Sequence, residues 1–184
     1  MKATDELKNE HQGIELMLRV LKAIARKFGQ GEPIDKAQLD DIIEFLAVFV
    51  DKCHHGKEEE FLFPALEAAG VQRDGGPIGV MLSEHEQGRK LVAEIKGAVA
   101  RYTSGGKSAA PDSQTAIADY VALLTQHIVK ENTVLFPMAD AKLTPKQDDE
   151  LFEAFEKLER DRIGEGTHEA FHALLDQLQD QYLR

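Results

Sequence analysis

His54-His55-Gly56-Lys57-Glu58-Glu59-Glu60-Phe61-Leu62-Phe63-Pro64 and His127-Ile128-Val129-Lys130-Glu131-Asn132-Thr133-Val134-Leu135-Phe136-Pro137 are two copies of one string, His-x-x-Lys-Glu-x-x-x-Leu-Phe-Pro. Each of the six identities is roughly a one-in-twenty coincidence by average usage, so the string marks an internal duplication. Each copy sets a carboxylate four residues after an imidazole, the spacing that puts both on one face of a helix. A shorter repeat accompanies it: Glu10-His11 recurs as Glu84-His85 at nearly the same offset. The chain therefore reads as two helical hairpins, each giving one His from its first helix and a His-Glu pair from its second.

The surrounding pattern is helical almost throughout, and no alternating stretch reads as a strand. A first helix is expected over about 5–28, stopped by Gly29-Gln30-Gly31 with Pro33 beyond. A second runs over about 35–69, with a local kink near Pro64, and ends at Gly70 and Asp74-Gly75-Gly76-Pro77. A third covers about 78–103 and breaks at Ser104-Gly105-Gly106-Lys107-Ser108; a fourth covers about 111–141. Thr144-Pro145 reads as an N-cap with proline at the first helical position, opening a fifth segment that breaks at Gly164-Glu165-Gly166. The expected fold is all-α: an up-down-up-down four-helix bundle over residues 1–142, with 143–184 a helical extension packed on it.

Val50, His54, Glu58, Phe61 and Ala65 step by three or four along the second helix, and Leu123, His127, Glu131, Val134 and Met138 repeat that stripe on the fourth. His11 lies between Leu7 and Ile14, and His85 between Met81 and Val92, so four helices direct an imidazole inward. A single inward histidine is ordinarily a hydrogen-bonded core residue, and a lone His-x-x-x-Glu is often a surface pair. Four such elements in register leave two buried carboxylates that are costly without a cation. Four imidazoles and two carboxylates exceed the needs of one tetrahedral zinc. They suit two borderline metals bridged by the carboxylates, iron foremost, with zinc or manganese as substitutes.

Composition limits the alternatives. Among 184 residues the formal charge is −11, and no basic stripe offers itself to a phosphate backbone, so nucleic acid is not an expected partner. No apolar run spans a bilayer, so no membrane role is expected. The N-terminus opens into a polar helical pattern without a signal-peptide core, and the single cysteine, Cys53, fits a reducing cytoplasm.

The order His, His-x-x-x-Glu, His, His-x-x-x-Glu on four helices resembles the hemerythrin-like, or HHE cation-binding, family over about residues 5–142. Carried over by position, the resemblance implies metal ligands at His11, His54, Glu58, His85, His127 and Glu131, with Glu58 and Glu131 bridging a di-iron, oxo- or hydroxo-bridged centre. It implies binding of dioxygen, nitric oxide or peroxide in carriage, sensing or stress response, or an enzyme that turns over peroxide or repairs iron-sulfur clusters. The dioxygen carriers of the family have a further His one turn after the third-helix His; here that position is Arg89. Glu15, one turn after His11, and Glu86, beside His85, are candidates for an additional ligand or a hydrogen-bonding neighbour of one. The exchange of that imidazole for Arg89 speaks against simple carriage.

Several residues compete with this set. His55 and Glu59 form the same pair shifted by one; alignment of the two Phe-Pro ends favours His54 and Glu58 and makes His55 peripheral, about 100° away on an α-helix. Lys57 and Lys130 read as solvent-facing residues with snorkelling stems, and Cys53 as a small core residue. His168-Glu169-Ala170-Phe171-His172 matches the zinc-hydrolase pattern His-Glu-x-x-His, but with no evident third ligand it reads as a surface or packing element.

Overall fold

The structure, a computed structural model, describes residues 1–104, 109–164 and 166–184. The expected breaks at 104–108 and 164–166 therefore fall partly outside the described residues. Four long helical spans build the bundle: α1 (Lys2–Gln30); α2 (Lys36–Phe45), continuing through wide turns to α3 (Phe63–Ala68); α4 (Pro77–Thr103); and α5 (Ala109–Lys130), continuing to α6 (Phe136–Lys142). The spans of α1 and α4 both lie against α5, and α2 lies against α4. Of two further helices, α7 (Pro145–Arg162) packs on α1 and on the wide turns between α2 and α3, and α8 (Thr167–Tyr182) packs mainly on α1. Among the described residues there is no strand, and no helix is long and apolar enough to cross a membrane.

The ends of the helices have local causes. Gly31 closes α1 in the left-handed conformation at φ 69°, a region that costs any side chain with a Cβ. The Asp35 side chain accepts from the Ala37 N–H at 2.7 Å to start α2, and Thr144 with Gln147 forms a reciprocal capping box at the start of α7. One boundary was not local: α1 begins at Lys2 rather than near Asp5. The Asp148 carboxylate, on α7, accepts from the Lys2 and Ala3 N–H groups at 2.9 Å each, so the cap comes from the other end of the chain.

The expected disturbance at the prolines takes a defined form. Glu58–Leu62 and Glu131–Leu135 are single π-helical turns, in which Phe63 and Phe136 donate to the carbonyls of Glu58 and Glu131, five residues back. Pro64 and Pro137 follow immediately. A proline has no N–H to donate and its ring crowds the carbonyl four residues earlier, and a widened turn relieves both. A longer π-helical stretch, Leu46–His55, precedes the first of these turns; the second copy of the motif has no counterpart among its assigned elements.

Two large apolar clusters, separated along the bundle axis, make up most of the core, and a small third one joins Cys53 to Leu158 and Ile163. One large cluster contains Ile14, Met17, Leu21, Val50, Leu91, Ile95 and Leu124; the other contains Leu7, Leu62, Phe63, Met81, Leu135, Phe136 and Phe155. His11, His54, His85 and His127 fall in sequence between members of the two clusters on all four spans, so a polar layer divides the core. Phe171, Leu175 and Leu178 of α8 belong to the first cluster and Leu151 and Phe155 of α7 to the second.

Candidate metal centre

The polar layer is built of imidazoles facing one another in pairs. His11 Nε2 lies 3.0 Å from His54 Nε2, and His85 Nε2 lies 3.1 Å from His127 Nε2. Each ring is held from behind through Nδ1. Glu10 accepts from His54 at 2.7 Å and Glu84 from His127 at 2.9 Å; Asn132 accepts from His11 at 2.9 Å and Glu59 from His85 at 2.7 Å. The duplication organises these contacts. The Glu of each Glu-His dipeptide orients the His of the same hairpin's long motif. The residue following each motif carboxylate, Glu59 or Asn132, orients the first-helix His of the other hairpin.

A proton on Nδ1, where the acceptor sits, leaves the Nε2 lone pair of a neutral ring pointing inward. Burial pushes the His54 pKa well below its usual value, so this ring is neutral. At the His11–His54 pair, lone pairs facing each other at 3.0 Å repel, and a cation between them removes the conflict; at the other pair burial lowers the His127 pKa but the Glu131 carboxylate outweighs it and raises it, so there a cation competes with a proton.

The carboxylates connect the pairs. Glu58 places Oε1 3.8 Å from His54 Nε2 and Oε2 3.4 Å from His85 Nε2. Glu131 places Oε2 3.2 Å from His11 Nε2 and Oε1 3.1 Å from His127 Nε2. Both side chains are fully buried, and none of their four oxygens has an aligned hydrogen-bond donor. Burial drives the Glu58 pKa well above the carboxylate range, and the neighbouring Glu131 charge adds to it. Burial also opposes ionisation of Glu131, but His127 and His11 outweigh it and hold that group well below the usual range. Burial and mutual repulsion oppose a charge on both carboxylates at once; a cation would favour both ionised forms. The π-helical turns begin at these two glutamates and run up to the residue before the Phe-Pro pair of each copy.

Buried His and Glu atoms capable of holding an ion gather in two groups, His11-His54-Glu58-Glu131 and His55-Glu58-His85-His127, the atoms of each lying within 4.8 Å of one another. Together they contain all six expected ligand positions, and Glu58 is common to both. The second group also contains His55, which corrects its reading as peripheral. His55 is 4% exposed and stacks on His85, with ring centroids 3.8 Å apart and planes 13° apart. The cause is backbone geometry: a π-helical stretch has more residues per turn than an α-helix, so consecutive residues diverge by less than about 100° and both His54 and His55 face inward.

Other expectations need correction too. Glu15 is exposed on α1. Glu86 is exposed and pairs only with Arg89, at 3.4 Å, so neither glutamate reaches the centre. Glu59, set aside with His55, holds His85. Arg89 bonds Asp51 at 2.8 Å and Glu59 at 2.6 Å and so steadies the partner of His85. Lys57 is buried rather than solvent-facing. Its ammonium bonds Glu10 at 2.6 Å, Glu159 at 3.1 Å and also Glu6. Lys130, its counterpart, is 39% exposed and bonds Glu84. The difference lies in α7, which covers only the first copy: Gly56 is buried beneath Leu158 and Arg162, whereas Val129 at the equivalent position is 48% exposed. Cys53 is buried as expected, and burial pushes its thiol up to about 12.

The His168–His172 segment does not join the centre. His168 donates to Glu159 at 2.6 Å, Glu169 and His172 are exposed, and neither histidine enters a metal-type group of three among the described residues. The orienting residues Glu10, Glu84, Glu59 and Asn132 were not identified from sequence as ring holders. The repeat of Glu10-His11 as Glu84-His85 was the signal for two of them.

Fold and site define a helical-bundle protein with a duplicated His/Glu half-site suited to a buried metal. The chain belongs to the hemerythrin family: residues 2–139 match the hemerythrin HHE cation-binding domain. It is 24% identical over 178 residues to uncharacterized protein Rv1995 of Mycobacterium tuberculosis, covering 97% of this chain and 68% of that one; Mb2018 of Mycobacterium bovis matches to the same extent. It is 34% identical over 93 residues to the iron-sulfur cluster repair protein YtfE of Escherichia coli, covering 47% of this chain and 40% of YtfE. No solved structure matches it.

Proposed function

We propose that the chain holds two iron ions, one at His11 and His54 and one at His85 and His127, bridged by Glu58 and Glu131, and binds dioxygen, nitric oxide or peroxide there. The observation that carries this reading is that each carboxylate reaches both imidazole pairs with oxygens that no donor satisfies. Iron supplies the change of oxidation state that capture of such ligands needs. The protein's part is to fix each imidazole through Glu10, Glu84, Glu59 or Asn132, to keep Nε2 unprotonated, and to exclude bulk water with apolar core on both sides. The acidic chain favours a small molecule over nucleic acid as partner, and a single buried thiol suits the cytoplasm. In this reading residues 143–184 cover the bundle of residues 1–142 on its α1 side.

A second reading is an enzyme of peroxide turnover or of iron-sulfur cluster repair, the latter favoured by the similarity of about half of this chain to YtfE, an iron-sulfur cluster repair protein. Metal analysis of the purified protein tests the common premise, with about two irons per chain expected. One zinc per chain, retained in His54→Ala and lost in His168→Ala, would overturn it. Mixing the reduced iron protein anaerobically with dioxygen or nitric oxide then separates the readings. A stable, reversible adduct indicates binding or sensing, and rapid turnover indicates an enzyme.

A further inference from the structure

The centre contains a fifth imidazole that the sequence pattern does not assign. His55 is 4% exposed, and both of its ring nitrogens lack a hydrogen-bond partner. Its nearest charged neighbour, Asp51, stands 3.6 Å from Nδ1, beyond hydrogen-bond reach, and is tied to Arg89 at 2.8 Å. A buried histidine ordinarily satisfies at least one nitrogen, as His11, His54, His85 and His127 do through Nδ1. A group left unsatisfied in this way is explained by a partner that is neither a side chain nor the backbone.

The surroundings of His55 indicate that partner. A nitrogen of His55 belongs to a group with donor atoms of Glu58, His85 and His127, all within 4.8 Å of one another. That is close to the span of about 4.2 Å open to atoms each about 2.1 Å from one ion. The ring also faces His127, with centroids 5.8 Å apart and planes at 77°. It also lines a cavity of about 60 Å³ with Val50, Val92, Tyr120, Asp51 and Arg89, in which neither ring nitrogen finds a hydrogen-bond partner.

Resting on the two-ion reading above, we propose that His55, turned out of its stack on His85 so that a ring nitrogen aims at the ion, is a ligand of the ion held by Glu58, His85 and His127. That ion then has three imidazoles and the ion at His11 and His54 has two, so the duplicated half-sites are chemically unequal. The third imidazole comes from the second helix, made available by the π-helical stretch Leu46–His55, while Arg89 on the third helix steadies Asp51 and Glu59. The second motif cannot repeat the arrangement, because the position after His127 is Ile128.

The test uses the full chain and cobalt(II) as a spectroscopic probe. The wild-type protein is expected to bind two cobalt ions. His55→Phe keeps an aromatic ring against His85 but cannot ligate; it should bind one of the two ions at least about tenfold more weakly in chelator competition. Its visible cobalt absorption should change intensity as coordination changes, while the metal-free variant melts as the wild type does. Unchanged affinities and an unchanged spectrum would overturn the role of His55 and leave the two-ion reading standing. Failure of the wild type to bind two ions would overturn that reading itself. Should the variant not fold, paramagnetic proton spectra of the cobalt-loaded wild type decide the matter: five hyperfine-shifted exchangeable imidazole N–H signals support ligation, and four exclude it.

Discussion

Replacing Lys57 with alanine should destabilise the metal-free protein far more than the same change at Lys130, although the two lysines hold the same place in the repeated motif. Lys57 is fully buried, and its ammonium is shared among Glu10, Glu159 and Glu6, of which Glu10 is itself 5% exposed at the side chain. Its removal leaves the Glu10 carboxylate buried beside no compensating cation, whereas Glu6 and Glu159, at 18% and 24% exposure, can take up water. Breaking a buried pair by removing one partner costs about 3–5 kcal/mol. At about 2–4 °C per kcal/mol for a domain of this size, the melting temperature should fall by about 6–20 °C. Lys130 is 39% exposed and bonds one carboxylate, so Lys130→Ala should cost under about 1 kcal/mol. Thermal and denaturant unfolding of the two metal-free variants, followed by circular dichroism, measure both losses without linkage to bound metal. Adding Glu10→Gln to Lys57→Ala should restore part of the loss, because the orphaned charge is gone. The reasoning is refuted if Lys57→Ala loses no more than Lys130→Ala, or if Glu10→Gln makes the double variant worse by its full single-variant cost.

Four further outcomes follow from the same contacts. A chain ending at Leu143 lacks Asp148, Leu151, Phe155, Phe171, Leu175 and Leu178; at about 1.5–3 kcal/mol per buried Leu or Phe the lost burial rivals the stability of a whole domain, so it should show no cooperative melt, whereas a melt within a few degrees of the full chain would contradict the packing of α7 and α8. Pro137→Ala restores an N–H and removes the ring that widens the Glu131–Leu135 turn, so Glu131 should rotate and metal affinity fall by about tenfold, an expectation that unchanged chelator competition defeats. Cys53, with its buried thiol pushed up to about 12, should stay unreactive to a thiol reagent at about pH 8 until the chain is unfolded; fast native labelling would contradict its burial. The hydrogen bond to Glu159 raises the His168 pKa, so its stabilisation is complete below the unfolded value near 6.5 and lost as pH rises through the folded one. The same bond holds Glu159 down to about 2, so that share is present above about 4.5 and lost toward 2. The stability gap between wild type and His168→Ala, measured across pH, should therefore peak near about pH 5–6, and a gap that widens at alkaline pH would reverse the sign.

How far the molecule was legible in its sequence can be argued residue by residue. The steps of three and four that carry His54 with Glu58 and His127 with Glu131 state which residues share a helix face, and the duplication removed the ambiguity between adjacent His-Glu registers. These are local properties, since helix periodicity and burial of an apolar stripe are set by near neighbours in the chain. The all-α bundle, the helix pairing and the inward set of four imidazoles and two carboxylates follow from them. Pro64 and Pro137 announced a disturbance but not its form.

Other features depended on what packs against what. Lys57 and Lys130 hold the same place in the repeated motif, yet α7 buries one and leaves the other half-exposed, so their difference comes from a helix nearly a hundred residues distant from the first. Glu15 sits one turn after an inward histidine but faces solvent, because the turn that aligns residues on a stripe does not say where the stripe ends. His55 was placed outside by α-helical geometry and lies inside because Leu46–His55 adopts wider turns. Sequence by itself determined the repeated pattern of four imidazoles and two carboxylates, since periodic burial and duplication are written along the chain. Only the tertiary structure decided its surroundings: which charges are paired, which rings are held, and how many imidazoles face the same space, because those depend on helix contacts and backbone pitch that no spacing of residues encodes.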